Sequence, residues 1–109
     1  MSAEKKNILS NIFKMAWMLV KTYGFTFSEA LRQSWAISKL RKAMKSGIVK
    51  FMFTKLDGTV RTAWGTLSEE LMGETKGTGK KPNASLVTYW DKEKEAFRSF
   101  KIANFIRMA

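Results

Sequence analysis

The sequence predicts an α+β fold: two N-terminal helices followed by a small antiparallel β-barrel of four or five strands. Three observations carry that expectation. Residues 7–46 repeat their apolar side chains at helical spacing, broken at Gly24. Residues 48–67 form two alternating apolar/polar runs around Asp57-Gly58, a hairpin signature. Residues 86–106 then supply further short strands on either side of the polar stretch 92–95.

In chain order, residues 1–6 read as a frayed tail. The first helix is expected from about Asn7 to Thr22, with apolar side chains covering roughly 200° of its circumference. An arc that wide must touch two things: helix 2 plus a partner subunit, or helix 2 plus the barrel. A basic helix lying on a membrane surface is the other option. Gly24 suits the position after a helix end, and Ser28 suits the N-cap of a second helix with Glu29 in its first turn. That helix runs to about Ser46 and ends at Gly47. Its apolar arc holds Ala30, Ile37, Leu40 and Met44 and is marred by Gln33. Leu31 and Trp35 fall on the opposite side, so the helix has two faces and sits between helix 1 and the sheet. Trp35, Lys39 and Lys42, at i, i+4 and i+7, form an aromatic–basic stripe for a polyanion, or else a core Trp overlaid by lysine stems.

A two-residue turn at Asp57-Gly58 would pair Phe53 with Thr62 and Phe51 with Trp64. Val49, Phe51 and Phe53 would then share a face with Thr62 and Trp64, leaving Lys50, Thr54 and Arg61 outward. An isolated hairpin is marginal in water, so more strands must join it. Strands are expected at Leu86–Asp91 and Ala96–Lys101, and Ile102–Ile106 reads as a 3₁₀ turn plus a fifth strand. Short strands with one long loop suggest a strongly bent barrel of SH3 or Sm type. The division expected is a helical lead-in over 1–47 and a barrel over 48–109, forming one compact unit.

Composition narrows the function classes. Eight Phe, four Trp and seven Met among 109 residues exclude a disordered chain, and the length supports one modest core. There is no Cys and no His, which removes disulfides, thiolate chemistry and the preferred ligands of soft metals. General acid–base catalysis has few candidates, since Asp57 is a turn residue and Glu69, Glu70, Glu74, Glu93 and Glu95 lie in polar loops. A hard-cation site from Glu69, Glu70 and Asp91 has nothing further to recommend it. No enzyme, cofactor or metal is expected. The apolar run from Met15 to Val20 is too short to span a bilayer, and Lys14 interrupts any signal-like segment. A cytoplasmic protein is expected.

Charge points to a partner. Twenty Lys+Arg against nine Asp+Glu give +11, which favours nucleic acid, an anionic membrane or an acidic protein surface. The candidate nucleic-acid contacts are Lys50 and Arg61 on the hairpin, Arg98 and Lys101 on the fourth strand, and Lys39 and Lys42 on helix 2. Tyr89 and Trp90 alternate, so one of them faces outward and can stack a base. Residues 73–82, GETKGTGKKP, resemble a phosphate loop but fail its pattern: Thr78 stands where Gly is required, and Lys81 follows Lys80. Lys76, Lys80 and Lys81 remain candidate phosphate contacts. Phe13, Trp17 and Trp35 are the candidate protein-interaction surface.

The segments VKFMFTKLDGTVRTAWGTL and VTYWDKEKEAFRSFKIANFI resemble the WYL-like family of Sm/SH3-type small β-barrels, short proteins of bacteria, phages and mobile elements. FTFSEALRQSWAISKLRKAMKSG is similar to the helical lead-in that many members carry. The resemblance spans about residues 25–107 and rests on the DGT turn, Gly65-Thr66-Leu67 and the FRSF block. It implies a small barrel, and it places Arg98 and Lys101 at the basic positions of a Trp-Arg-x-Phe-Arg segment. Phe97 stands where Trp is common, and Thr88-Tyr89-Trp90 replaces the Trp-Tyr-Leu tripeptide. Larger WYL domains are implicated in sensing nucleic acid or nucleotides. The expected function is a non-enzymatic module that binds DNA or RNA through a basic surface, in a regulatory or anti-defence role. The alternatives are a module docking on an acidic surface of a host nuclease complex such as a CRISPR effector, or a homodimer joined through helix 1.

Overall fold

The computed structural model of the chain describes residues 2–68 and 85–109, with side chains from residue 8 onward. Helix α1 spans Ser2–Tyr23 and α2 spans Phe27–Ser46. Strands follow at β1 (Val49–Thr54), β2 (Val60–Thr66), β3 (Leu86–Asp91) and β4 (Ala96–Lys101). A 3₁₀ turn, η1 (Ile102–Asn104), leads into β5 (Phe105–Met108). The α1 helix reaches back to Ser2 through residues expected as a tail, a stretch rich in good helix formers. The N-cap of α2 is Thr26 rather than Ser28. Its hydroxyl accepts from the Glu29 amide (3.2 Å) and donates to the Glu29 carboxylate (2.8 Å). Thr26-Phe27-Ser28-Glu29 has the T-x-x-E spelling of a capping box, but Glu29 reaches back to the Thr26 hydroxyl and not to its backbone amide.

The strands form one antiparallel sheet in the order β4-β3-β2-β1-β5. β4 and β5 are consecutive in the chain but lie at opposite edges, so η1 carries the backbone across the gap of a bent, barrel-like sheet. The hairpin departs from the two-residue turn. Phe51 pairs with Ala63 and Phe53 with Arg61, one residue out of the expected register. Its loop is three residues long: Gly58 N–H donates to Lys55 O (3.0 Å) and Lys55 N–H to Thr59 O (2.7 Å). A two-residue type I′ turn needs positive φ at both central positions; here Gly58 has φ 90° and Asp57 is not in that region. Asp57 instead accepts from the Thr59 amide (3.0 Å) and hydroxyl (2.6 Å), bonds that hold its carboxyl below the usual range. A slip of one residue turns every side chain of one strand over relative to the other. Ala63 and Gly65 therefore face the core, while Thr62 and Trp64 face out beside Lys50 and Met52.

The core is a cluster of rings. Phe51 meets Tyr89 edge-on at 5.0 Å, and Phe53 stacks on Phe100 at 4.7 Å with an interplanar angle of 13°. Phe105 lies 5.9 Å from Phe100. Each such pair adds about 0.5–1.5 kcal/mol beyond area burial. Ile37, Leu40 and Met44 of α2 close one end of this core. Two polar clasps fix the helix there. Thr66 Oγ1 and the Leu67 amide donate to Met44 O at 3.0 and 2.9 Å. The Gln33 amide donates to Ile102 O and Phe105 O, both at 2.8 Å, bridging the first carbonyl of η1 and the first of β5. The polar residue that interrupts the apolar arc of α2 is thus the one that holds the strand crossover.

Helix α1 buries Ile12, Ala16 and Leu19, chiefly against α2. Met15, Val20 and Tyr23 pack partly buried against the core, and the rest of the wide apolar arc is uncovered: Ile8, Leu9, Phe13 and Trp17 are exposed. Among the described residues, no helix is long and apolar enough to cross a membrane.

Candidate nucleic-acid interface

The register places an aromatic band on the outer face of the sheet. Lys50 and Trp64 are directly opposite, with the ammonium 5.6 Å from the ring centroid. That distance is within range of a cation–π interaction. Trp90, paired with Thr66 on β2 and with Phe97 on β4, is a diagonal neighbour of Trp64 on the same face. Trp90 and Phe97 meet edge to face at 5.2 Å. All three side chains are half-buried, so part of each remains accessible to solvent. Thr88 and Ser99, a facing pair in the next row, are exposed.

The inner face holds a polar cluster. Arg61, expected outside with Lys50, turns inward and its guanidinium donates to Asp91 at 2.5 Å. The other Asp91 oxygen accepts from the amides of Glu93 and Lys94 (3.0 and 3.1 Å), which shapes the β3–β4 turn. Asp91 is wholly buried and both its oxygens are occupied, so it does not serve a cation site; Glu69 and Glu70 lie outside the described residues. Tyr89 is also wholly buried and cannot stack a base. Alternation between the two neighbours gave the inward position to Tyr89 and the outward one to Trp90.

The Tyr89 hydroxyl has no hydrogen-bond partner among the described residues. Burial first, and then the Asp91 charge, push its pKa from 10.0 up to about 12, against the opposing pull of Arg61 and Arg98. Because the folded state resists a deprotonation that the unfolded chain undergoes near pH 10, this contribution to stability is full below pH 10 and lost as pH rises towards about 12. Tyr89→Phe is expected to remove that part of the alkaline loss while leaving neutral-pH stability equal or higher, since a hydroxyl buried without a partner is itself unfavourable. Thermal melts of both proteins at neutral and alkaline pH check this, and identical alkaline slopes would exclude the phenol as the source.

The remaining candidates do not converge on one spot. Arg98 is exposed on β4 opposite Tyr89. Lys101 borders a hollow shared with Lys55 and Asp57 of the hairpin turn. Lys39 and Lys42 separate: Lys39 lines a groove with Trp35, whereas Lys42 lines another, between the helices, with Arg41 and Lys45. Trp35 is exposed, so the reading of it as core fails. Phe13 and Trp17 are exposed and meet through Phe27, at 6.4 and 5.2 Å. Lys76, Lys80 and Lys81 lie outside the described residues. Sequence reasoning missed Trp64 and Phe97 as surface aromatics. The signal available for Trp64 was the turn, where one glycine supplies one positive φ and so a three-residue loop.

A family description of an Sm-like SH3 beta-barrel fold matches residues 37–106, from the middle of α2 through the start of β5. The chain belongs to the WYL_2 family. No curated protein and no solved structure gives a significant match. The WYL_2 segment contains the whole outer-face band, Lys50, Trp64, Trp90 and Phe97, together with the Arg61–Asp91 pair. Helix α1, with Phe13 and Trp17, and the first part of α2, with Phe27 and Trp35, lie before it.

Proposed function

We propose that this WYL_2 barrel is a non-enzymatic module that binds single-stranded nucleic acid on the outer face of β1–β4. The carrying observation is the Lys50 ammonium 5.6 Å from the Trp64 ring, on the face that also presents Trp90 and Phe97. Rings open on one side stack bases with little regard to sequence, at about 1–3 kcal/mol per base. A net charge of +11 supplies the attraction to phosphates. A regulatory or anti-defence setting follows from the resemblance to phage and mobile-element proteins.

Fluorescence anisotropy with labelled oligothymidylate tests the reading. Affinity is expected to fall steeply between about 50 and 200 mM salt. Trp90→Ala is expected to weaken binding by about 1–3 kcal/mol, roughly 5- to 150-fold. Lys50→Glu should weaken it and flatten the salt slope. Salt-independent binding, or full affinity in both variants, refutes the assignment.

A further inference from the structure

We infer that the groove between α2 and β5 receives an extended, acidic and apolar segment of another protein, laid along the free edge of β5. The groove encloses about 620 Å³. Phe27, Leu31 and Trp35 form its helical wall, and Ile106 and Met108 its strand wall. Four of these large apolar side chains are exposed: Phe27 39%, Trp35 41%, Ile106 44% and Met108 38%. Phe27 extends the surface to Trp17, 51% exposed, through the ring contact at 5.2 Å. Contiguous apolar surface of this kind, rich in aromatic and Met side chains with arginine at its border, has the composition of a protein-binding site.

Charge identifies the occupant. Every ionisable residue lining the groove is cationic: Arg32, Lys39 and Arg107. A second copy of this +11 chain would bring like charges together, which disfavours self-association here. A nucleic acid would satisfy the cations but would gain little from the aliphatic wall of Leu31, Ile106 and Met108. A segment alternating carboxylates with apolar side chains answers both. The backbone fits as well. β5 is an edge strand, and among the described residues no strand pairs with its outer side. Strand addition there presents alternate side chains to the groove and to the cationic rim. This surface meets the proposed nucleic-acid face at Arg107, the register partner of Met52, but its apolar walls lie off that face and the inference does not depend on that reading.

Selection of a displayed library of random peptides against the intact chain tests the inference. Enriched peptides are expected to alternate Asp or Glu with aliphatic or aromatic residues. Synthetic copies should shift the backbone amide resonances of β5 and the Trp35 indole signal. Arg107→Glu and Trp35→Glu, both at exposed positions, should each weaken these peptides by about tenfold or more, with melting temperatures kept near the parent's. Lys94→Glu, a charge reversal at an exposed position of the β3–β4 turn, should leave peptide binding unchanged. An enriched set without acidic bias overturns the proposal, as does undiminished binding to Arg107→Glu. So does a wild-type dimer in sedimentation that Trp35→Glu dissociates, or oligothymidylate shifting the Trp35 indole signal.

Discussion

Alanine at position 91 is expected to lower the unfolding free energy by about 2–4 kcal/mol, because breaking a buried ion pair strands its partner. Asp91 is wholly buried, and its two oxygens hold the Arg61 guanidinium and the Glu93 and Lys94 amides. The lower part of the range allows for Arg61, whose side chain is 20% exposed and can partly rehydrate. Asp91→Asn separates the two roles. It keeps an oxygen for the turn amides and loses the charge opposite Arg61, so its loss should be the smaller of the two. Chemical denaturation of the three proteins reads the difference. A change in Asp91→Ala below about 0.5 kcal/mol would show that the pair and the turn contribute nothing net.

Gly65→Ala is expected to cost about 1–3 kcal/mol, an overpacking effect rather than a conformational one. A Cβ at this position would lie 2.5 Å from Tyr89 Cδ2, 3.0 Å from Phe51 Cε1 and 3.2 Å from Tyr89 Cγ. Both rings are wholly buried and in contact with each other, so neither can swing away. The double variant Gly65→Ala/Tyr89→Leu, which replaces the offending ring, should recover part of the loss attributable to the added methyl. Unfolding curves showing Gly65→Ala as stable as the parent would mean that the sheet opens locally at no cost.

The elements of this fold were readable because their signals are local. Apolar alternation and the polar stretch 92–95 place β3 and β4 at 86–91 and 96–101, as observed. The FTFSEAL stretch announces a helix start, although choosing Ser28 over Thr26 overlooked that Glu29 is three residues after Thr26 and not after Ser28. What escaped was non-local. The register of β1 on β2 hangs on whether one or two turn residues take positive φ, and that single slip moved Arg61 inward and Trp64 outward. Gln33 read as a blemish because its partners are 69 and 72 residues away in the chain. The candidate site suffered for the same reason. Lysines close in sequence, such as Lys39 and Lys42, line different grooves beside α2, and Tyr89 was sealed by Phe51 of β1 and Phe100 of β4.

The Gln33 clasp sets an order on biosynthesis. During translation α2 is complete long before Phe105 is made, and until then the Gln33 amide lacks the second of its two carbonyls and the aromatic core lacks one of its rings. Closing a loop of some seventy residues is the late step, so the nascent chain must keep its half-built sheet from pairing with neighbours until its last strand emerges.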